Sequence, residues 1–236
     1  MSETLETNAE YAGKMKSMLN LRSEPVAVKL IKEGCEYPPG PEMPEPQISH
    51  CQAVFRARKG GSFRLPFEKE SCHVGAAVLG MTETPAKAAS GEFHAGIGIH
   101  DSVEAAKRMM DERVMIPYRT IGETVCPLKD ADFVPDVVII IDTAERMYWI
   151  VSLMAGGKGG RASFSTAPFQ CACEDVTAVP IVTGSPNVSL GCFGCRKKTD
   201  MAGDELACGI PYGLMPEYVS RLERYSKGPL VQAKRG

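Results

Sequence analysis

The run FVPDVVIIIDT at 133–143 constrains the fold more than any other stretch, because Val137 to Ile141 are without exception apolar and β-branched. A strand with one wet face alternates apolar with polar residues. This one does not, so both of its faces are covered, and helices are the usual cover. AERMYWIVSLMAGG follows directly and reads as a helix that ends in glycines. The strand-to-helix transition predicts an α/β protein built on a single mixed sheet flanked by helices. A chain of 236 residues can bury a sizeable core, and no internal repeat or linker divides it, so residues 1–236 read as a single mixed α/β domain.

The remaining pattern fills in around that strand. Leu5, Ala9, Ala12, Met15 and Leu19 recur at helical spacing and predict a helix over 4–20, followed by a strand in PVAVKLI at 25–31. Five prolines between residues 37 and 47 deny the backbone its donors and predict a loop. CQAVFRARKGGSFRLPF reads as two short elements turning at Gly60 and Gly61. SCHVGAAVLG reads as a helix with Cys72 and His73 in its first turn, where free amides favour a thiolate. Further on, Asp101 with Glu104 resembles a capping pair, AVPIVTG is strand-like, 204–208 reads as a short helix, and PEYVSRLERYSKG as the terminal one.

Charge excludes some functions. A formal net charge of −2 gives no phosphate-binding footprint, and RARKG at 56–60 and RKK at 196–198 read as solvated loops, so no nucleic-acid partner is expected. The leading MSETLETNAEYAG is acidic where a secretory signal is basic, and no apolar run reaches membrane-spanning length. These features predict a cytoplasmic protein with no membrane partner. GGKGGR at 156–161 lacks the Lys–Ser/Thr ending of a phosphate loop, and GIGIHDS lacks dinucleotide-binding glycine spacing.

The cysteines carry the chemistry. Nine in a chain of this size are many, and in a reducing compartment close spacing points to metal or redox use rather than structural disulfides. Cys171 and Cys173 form C-x-C; Cys192 and Cys195 form C-x-x-C inside SLGCFGCRKKTD, with Gly191 and Gly194 letting the backbone wrap closely. Thiolates are the soft ligands of iron–sulfur clusters and zinc. The expected site gathers Cys51, Cys72, Cys192 and Cys195 around one iron–sulfur cluster, of 4Fe–4S type, with Cys171 and Cys173 as substitutes or neighbouring redox thiols. Zinc is the alternative metal, less favoured because the cysteines lack compact zinc-module spacing and the four histidines are scattered. Cys35 and Cys126 read as core or unpartnered residues, Cys208 as equally suited to burial or ligation, and His50 and His73 as structural. Asp142 and Glu145 could carry acid/base chemistry at the strand's end, although capping is simpler. Arg58 and Arg196 are expected to recognise a small anionic ligand or an acidic redox partner.

SEPVAVKLI, CQAVFRARKG with SCHVGAAVLG, PDVVIIIDTAERMYWIV, and SLGCFGCR with ELACGIPYG together resemble the family known as domain of unknown function 169, an uncharacterised archaeal and bacterial cysteine-containing family. The resemblance covers most of the chain. It implies that Cys51, Cys72, Cys171 and Cys192 recur in recognisable surroundings, with Cys195 and Arg196 completing the last segment. AERMYW stands where the family has a small or amide-bearing residue, which implies a reshaped pocket in this chain. The functional expectation is an iron–sulfur redox or electron-transfer protein. The alternatives are a non-enzymatic metal or small-ligand-binding protein and a metal-free dithiol oxidoreductase. The dithiol reading is discounted because CFGC shows no sign of opening a helix after a strand.

Overall fold

The computed structural model describes residues 2–233. Six strands form one sheet: β1 (Val26–Lys32), β2 (Phe63–Pro66), β3 (Thr120–Pro127), β4 (Val137–Thr143), β5 (Asn187–Ser189) and β6 (Glu205–Pro211). Their order across the sheet is β2-β3-β1-β4-β6-β5, and every neighbouring pair runs antiparallel. The α/β class and the single helix-flanked sheet are therefore those expected, but the strand directions are not mixed. The continuous apolar character of β4 comes from helical cover on both faces, not from parallel pairing.

The helices are α1 (Glu3–Leu19), α2 (His50–Ala57), α3 (His73–Val78), α4 (Ala86–Ala89), α5 (Glu92–Ala95), α6 (Val103–Asp111), α7 (Ala144–Lys158), α8 (Val179–Thr183), α9 (Phe193–Lys198), α10 (Met215–Ser226) and α11 (Pro229–Ala233). A π-helical segment, Cys171–Ala178, runs directly into α8. Among the described residues no helix is long and apolar enough to cross a membrane.

The strand period of two divides the core. Val137, Ile139 and Ile141 join Ala53, Ala76, Cys171 and Val176 on one face; Val138 and Ile140 join Met15, Met147, Ile150 and Leu222 on the other. Each such side chain contributes roughly 1.5–3 kcal/mol when fully buried. The second face is covered by α1, α7 and α10. The first carries α2, α3, the π-helix and α9, and with them most of the cysteines.

Three local expectations change. Residues 204–208 are not a helix but enter β6, which pairs with both β4 and β5. AVPIVTG is helical: Pro180 falls in the first turn of α8, where its missing N–H is not needed. Helix α6 is capped by Ser102, whose Oγ accepts from Ala105 N at 3.1 Å, not by Asp101.

Candidate functional site

Four helix starts deliver the thiols. Ser49 caps α2 in a reciprocal box with Gln52, which fixes Cys51 in the first turn with its Sγ 3.0 Å from Ser49 Oγ. Cys72 itself caps α3, and its Sγ accepts from Gly75 N at 3.5 Å. Cys171 and Cys173 sit in the first π-helical turn. Gly191, at φ 86°, turns the chain into Cys192; a side chain there would also run into Met201 Sδ at 2.7 Å. Cys192 then caps α9, accepting from Cys195 N at 3.4 Å, and the two sulfurs stand 3.4 Å apart.

The fold thus joins cysteines that lie up to 144 residues apart in sequence, from Cys51 to Cys195. The Cys195 thiol meets those of Cys51, Cys171 and Cys192. Gly75 marks where Cys72 and Cys173 approach each other, since a Cβ there would lie 3.6 Å from both sulfurs. Cys51, Cys72, Cys173, Cys192 and Cys195 all line one cavity of about 600 Å³, with Cys171 fully buried behind it.

A buried polar network supports this floor from the sheet side. His50 Nδ1 lies 2.7 Å from a Glu123 carboxylate oxygen on β3, and its Nε2 lies 3.1 Å from Thr177 Oγ1 of the π-helix. Glu70 accepts from His50 N at 2.7 Å and from Cys72 N at 2.6 Å, tying the starts of α2 and α3 to one carboxylate. On the far side Asp175 accepts from Ser189 Oγ at 2.6 Å and Thr166 Oγ1 at 3.0 Å. Burial opposes charge on His50, but the Glu123 and Glu70 carboxylates outweigh it and raise its pKa to about 9. Burial, then the neighbouring Glu123, pushes Glu70 up to about 8.

The thiols differ in the same way. The adjacent Cys195 thiol, with the backbone amides of Cys195 and Gly194, holds Cys192 below the usual thiol range. Cys195 is driven above it by the sulfurs around it, Cys171 first. Cys51 is lowered by Cys195 and then Ser49, against its burial. Cys173 is raised by burial and by its sulfur neighbours. The pair Cys192/Cys195 therefore has one thiolate-prone and one proton-holding member.

The other expected residues are elsewhere. Arg58 is buried and bonds Glu205 at 2.7 Å and Asp200 at 3.1 Å, away from the cysteine cavity. Arg196 lies on the outer side of α9, donating to Leu190 O at 2.6 Å. The cations at the cavity are instead Lys87, Lys197 and Lys198. Asp142 accepts from Arg22 N and Thr143 N, each at 2.7 Å, which is a structural role, and Glu145 is exposed. Cys126 and Cys208 are buried in the opposite core and Cys35 is exposed. His73 lines the cavity beside Phe67, while His94, Phe93, Phe169 and Gln170 complete a wall that motif spacing did not signal.

Among the described residues no three His, Cys, Asp or Glu side chains are grouped as a single metal ion would require. Thiols are soft donors, the type that iron–sulfur clusters and zinc both take, and those that could hold such a group are Cys51, Cys72, Cys173, Cys192 and Cys195.

The family model for domain of unknown function 169, described as uncharacterised ArCR, matches residues 14–221. An uncharacterized protein of Methanocaldococcus jannaschii, MJ0308, is 28% identical over 218 residues, covering 92% of this chain and 94% of the relative. No solved structure matches.

Proposed function

Since the chain belongs to this family, domain of unknown function 169, whose description assigns no activity, we propose a function from the site itself: an iron–sulfur cluster-binding redox or electron-transfer protein. The observation that carries the reading is the convergence of five thiols from four separate elements on one cavity. Cys51, Cys72, Cys192 and Cys195 are the assigned ligands, and Cys173 is the neighbouring redox thiol. A bound cluster supplies one-electron storage and transfer. The chain's own contribution is to hold the thiols at helix starts, to donate amides of Gly75 and Cys195 to sulfur, and to surround them with a largely apolar lining. A reducing cytoplasm is the compartment in which these thiols stay available.

A second reading has its own support. Contrary to the expectation that CFGC opens no helix, Cys192 caps α9 shortly after β5, and Cys195 stands at 3.4 Å. In a metal-free dithiol reaction the Cys192 thiolate attacks a substrate disulfide, forming a mixed disulfide and releasing one thiolate. Cys195 then gives up its proton and attacks Cys192 Sγ, closing an intramolecular disulfide and releasing the second thiolate. Two electrons pass to the substrate, and an external dithiol must restore the pair.

Anaerobic purification with iron and acid-labile sulfide analysis separates the readings. We expect both elements, with absorption that bleaches on reduction, and Cys51→Ser, Cys72→Ser and Cys192→Ser proteins that lose most of their iron while Cys35→Ser keeps it. Anaerobic protein with neither element overturns the cluster. Zinc in their place points to a non-redox binding protein.

A further inference from the structure

The cavity above the sulfur floor has features that the thiols do not use. Phe93, His94, Phe169 and Phe193 form an aromatic wall: the His94 ring lies 5.1 Å from Phe93 and 4.7 Å from Phe169, and Phe169 lies 6.1 Å from Phe193. Phe93 is 53% and Phe193 37% exposed, at the mouth of a concave surface rather than in a core. Aromatic faces left open in this way are platforms for flat ligands.

Two wall residues also have unmet hydrogen-bonding capacity. His94 is 2% exposed and its Nδ1 has no partner; Gln170 is 8% exposed and its Oε1 has none, although its Nε2 reaches Met110 Sδ at 3.4 Å. A buried polar atom without a partner costs on the order of 1–3 kcal/mol, so two on the same wall call for something to bond them. Gln170 is moreover held at φ 68°, a left-handed conformation that a side chain tolerates at a cost and that recurs at ligand sites.

Charge completes the pattern. Lys87, Lys197 and Lys198 border the cavity from α4 and α9, and none of them has an ion-pair partner among the described residues. Lys197 Nζ lies 5.5 Å from the Phe193 ring centre, so an ammonium and an aromatic face stand side by side.

We propose that this cavity binds a flat conjugated anion, an aromatic or heteroaromatic carboxylate or phosphate, with its ring against Phe93, Phe169 and Phe193, its polar ring edge toward His94 and Gln170, and its charge met by Lys87, Lys197 and Lys198. The ligand would lie directly over the thiols. Its role as the molecule reduced or oxidised there rests on the redox reading above; its binding does not.

The test is titration with 2-naphthoate, 2-naphthyl phosphate and the neutral 2-naphthalenemethanol, on the wild-type chain and on the Cys192→Ser protein. Both proteins should bind at least one anion saturably and about tenfold or more tightly than the alcohol, as charge-assisted contacts require. The tighter anion identifies the carboxylate or the phosphate as the natural group. Combined Lys87→Glu, Lys197→Glu and Lys198→Glu, all surface changes, should remove the anion preference and leave alcohol binding within about twofold, since only the charge is altered. Phe93→Ala, at an exposed site, should weaken all the probes that bind. No saturable binding, equal affinity for alcohol and anions, or a dimer in sedimentation that buries Phe93 and excludes the probes overturns the proposal. Because binding is read separately from metal content, wild-type protein that binds the anions yet holds neither iron nor acid-labile sulfide after anaerobic purification counts against the cluster alone.

Discussion

At the scale of single residues, the arginines separate from the thiols. Arg58 satisfies two acids, Glu205 at 7% exposure and Asp200 on the loop after α9, and stacks 4.8 Å from the Phe55 ring. Removing it leaves Glu205 buried without its partner. Arg58→Ala should therefore destabilise the protein by about 3 kcal/mol in urea denaturation while leaving iron content unchanged, the opposite of what an anion-binding role predicts. His94 makes a second prediction. Burial, with Arg113 and His100 nearby, lowers its pKa to about 4. The folded state then binds fewer protons than the unfolded one, so the stability held above pH 6.5 is lost as pH falls through 6.5 toward 4. The loss at pH 4 is on the order of 2 kcal/mol, less than the whole shift because the adjoining cavity admits water. Comparing pH-dependent melting of His94→Asn with the parent isolates this contribution; equal slopes between pH 7 and 4 would count against it.

At the scale of elements, the π-helix is held against the sheet by a close backbone approach. Gly209 of β6 faces Val176, and a Cβ there would lie 2.1 Å from Val176 O and 2.7 Å from its carbonyl carbon. Neither backbone can yield, so Gly209→Ala should cost about 2–4 kcal/mol and shift the Cys171–Ala178 segment, read as a lower melting midpoint and faster amide exchange there. The same contact explains what was legible. Long periodic elements such as α1, β4, α7 and α10 follow from their own side chains, because each must hide an apolar stripe or run. ELACGIP at 205–211 does not announce itself as a strand, since its identity comes from hydrogen bonds to β4 on one side and β5 on the other. Cys192 as a helix cap was equally hidden: Gly191 before CFGC and Gly194 within it weaken any helical pattern, and α9 is only six residues long.

At the scale of the whole molecule, the cysteine cavity is a seam. Its thiols come from α2 and α3 in the first third of the chain and from the π-helix and α9 in the last, with β1, β3, β4 and β6 beneath them as the platform. A ligand that bridges such a seam binds the folded state only and stabilises it by mass action. Loaded protein should gain about 2–4 kcal/mol over metal-free protein, raising the melting midpoint by roughly 5–15 °C for a chain of this size. Anaerobic calorimetry before and after chelation and oxidation measures it; identical midpoints would mean that no group spans the seam. The sequence by itself determined the α/β class, a central strand buried on both faces and the abundance of closely spaced thiols, because burial pattern and residue type are local properties of the chain. Only the tertiary structure decided that Cys173 shares a cavity with Cys51 and Cys72, that Cys126 and Cys208 face the opposite core, and that lysines rather than the two arginines border the cavity. Side-chain direction across a sheet and the meeting of distant segments depend on register and packing, which no short window of residues contains.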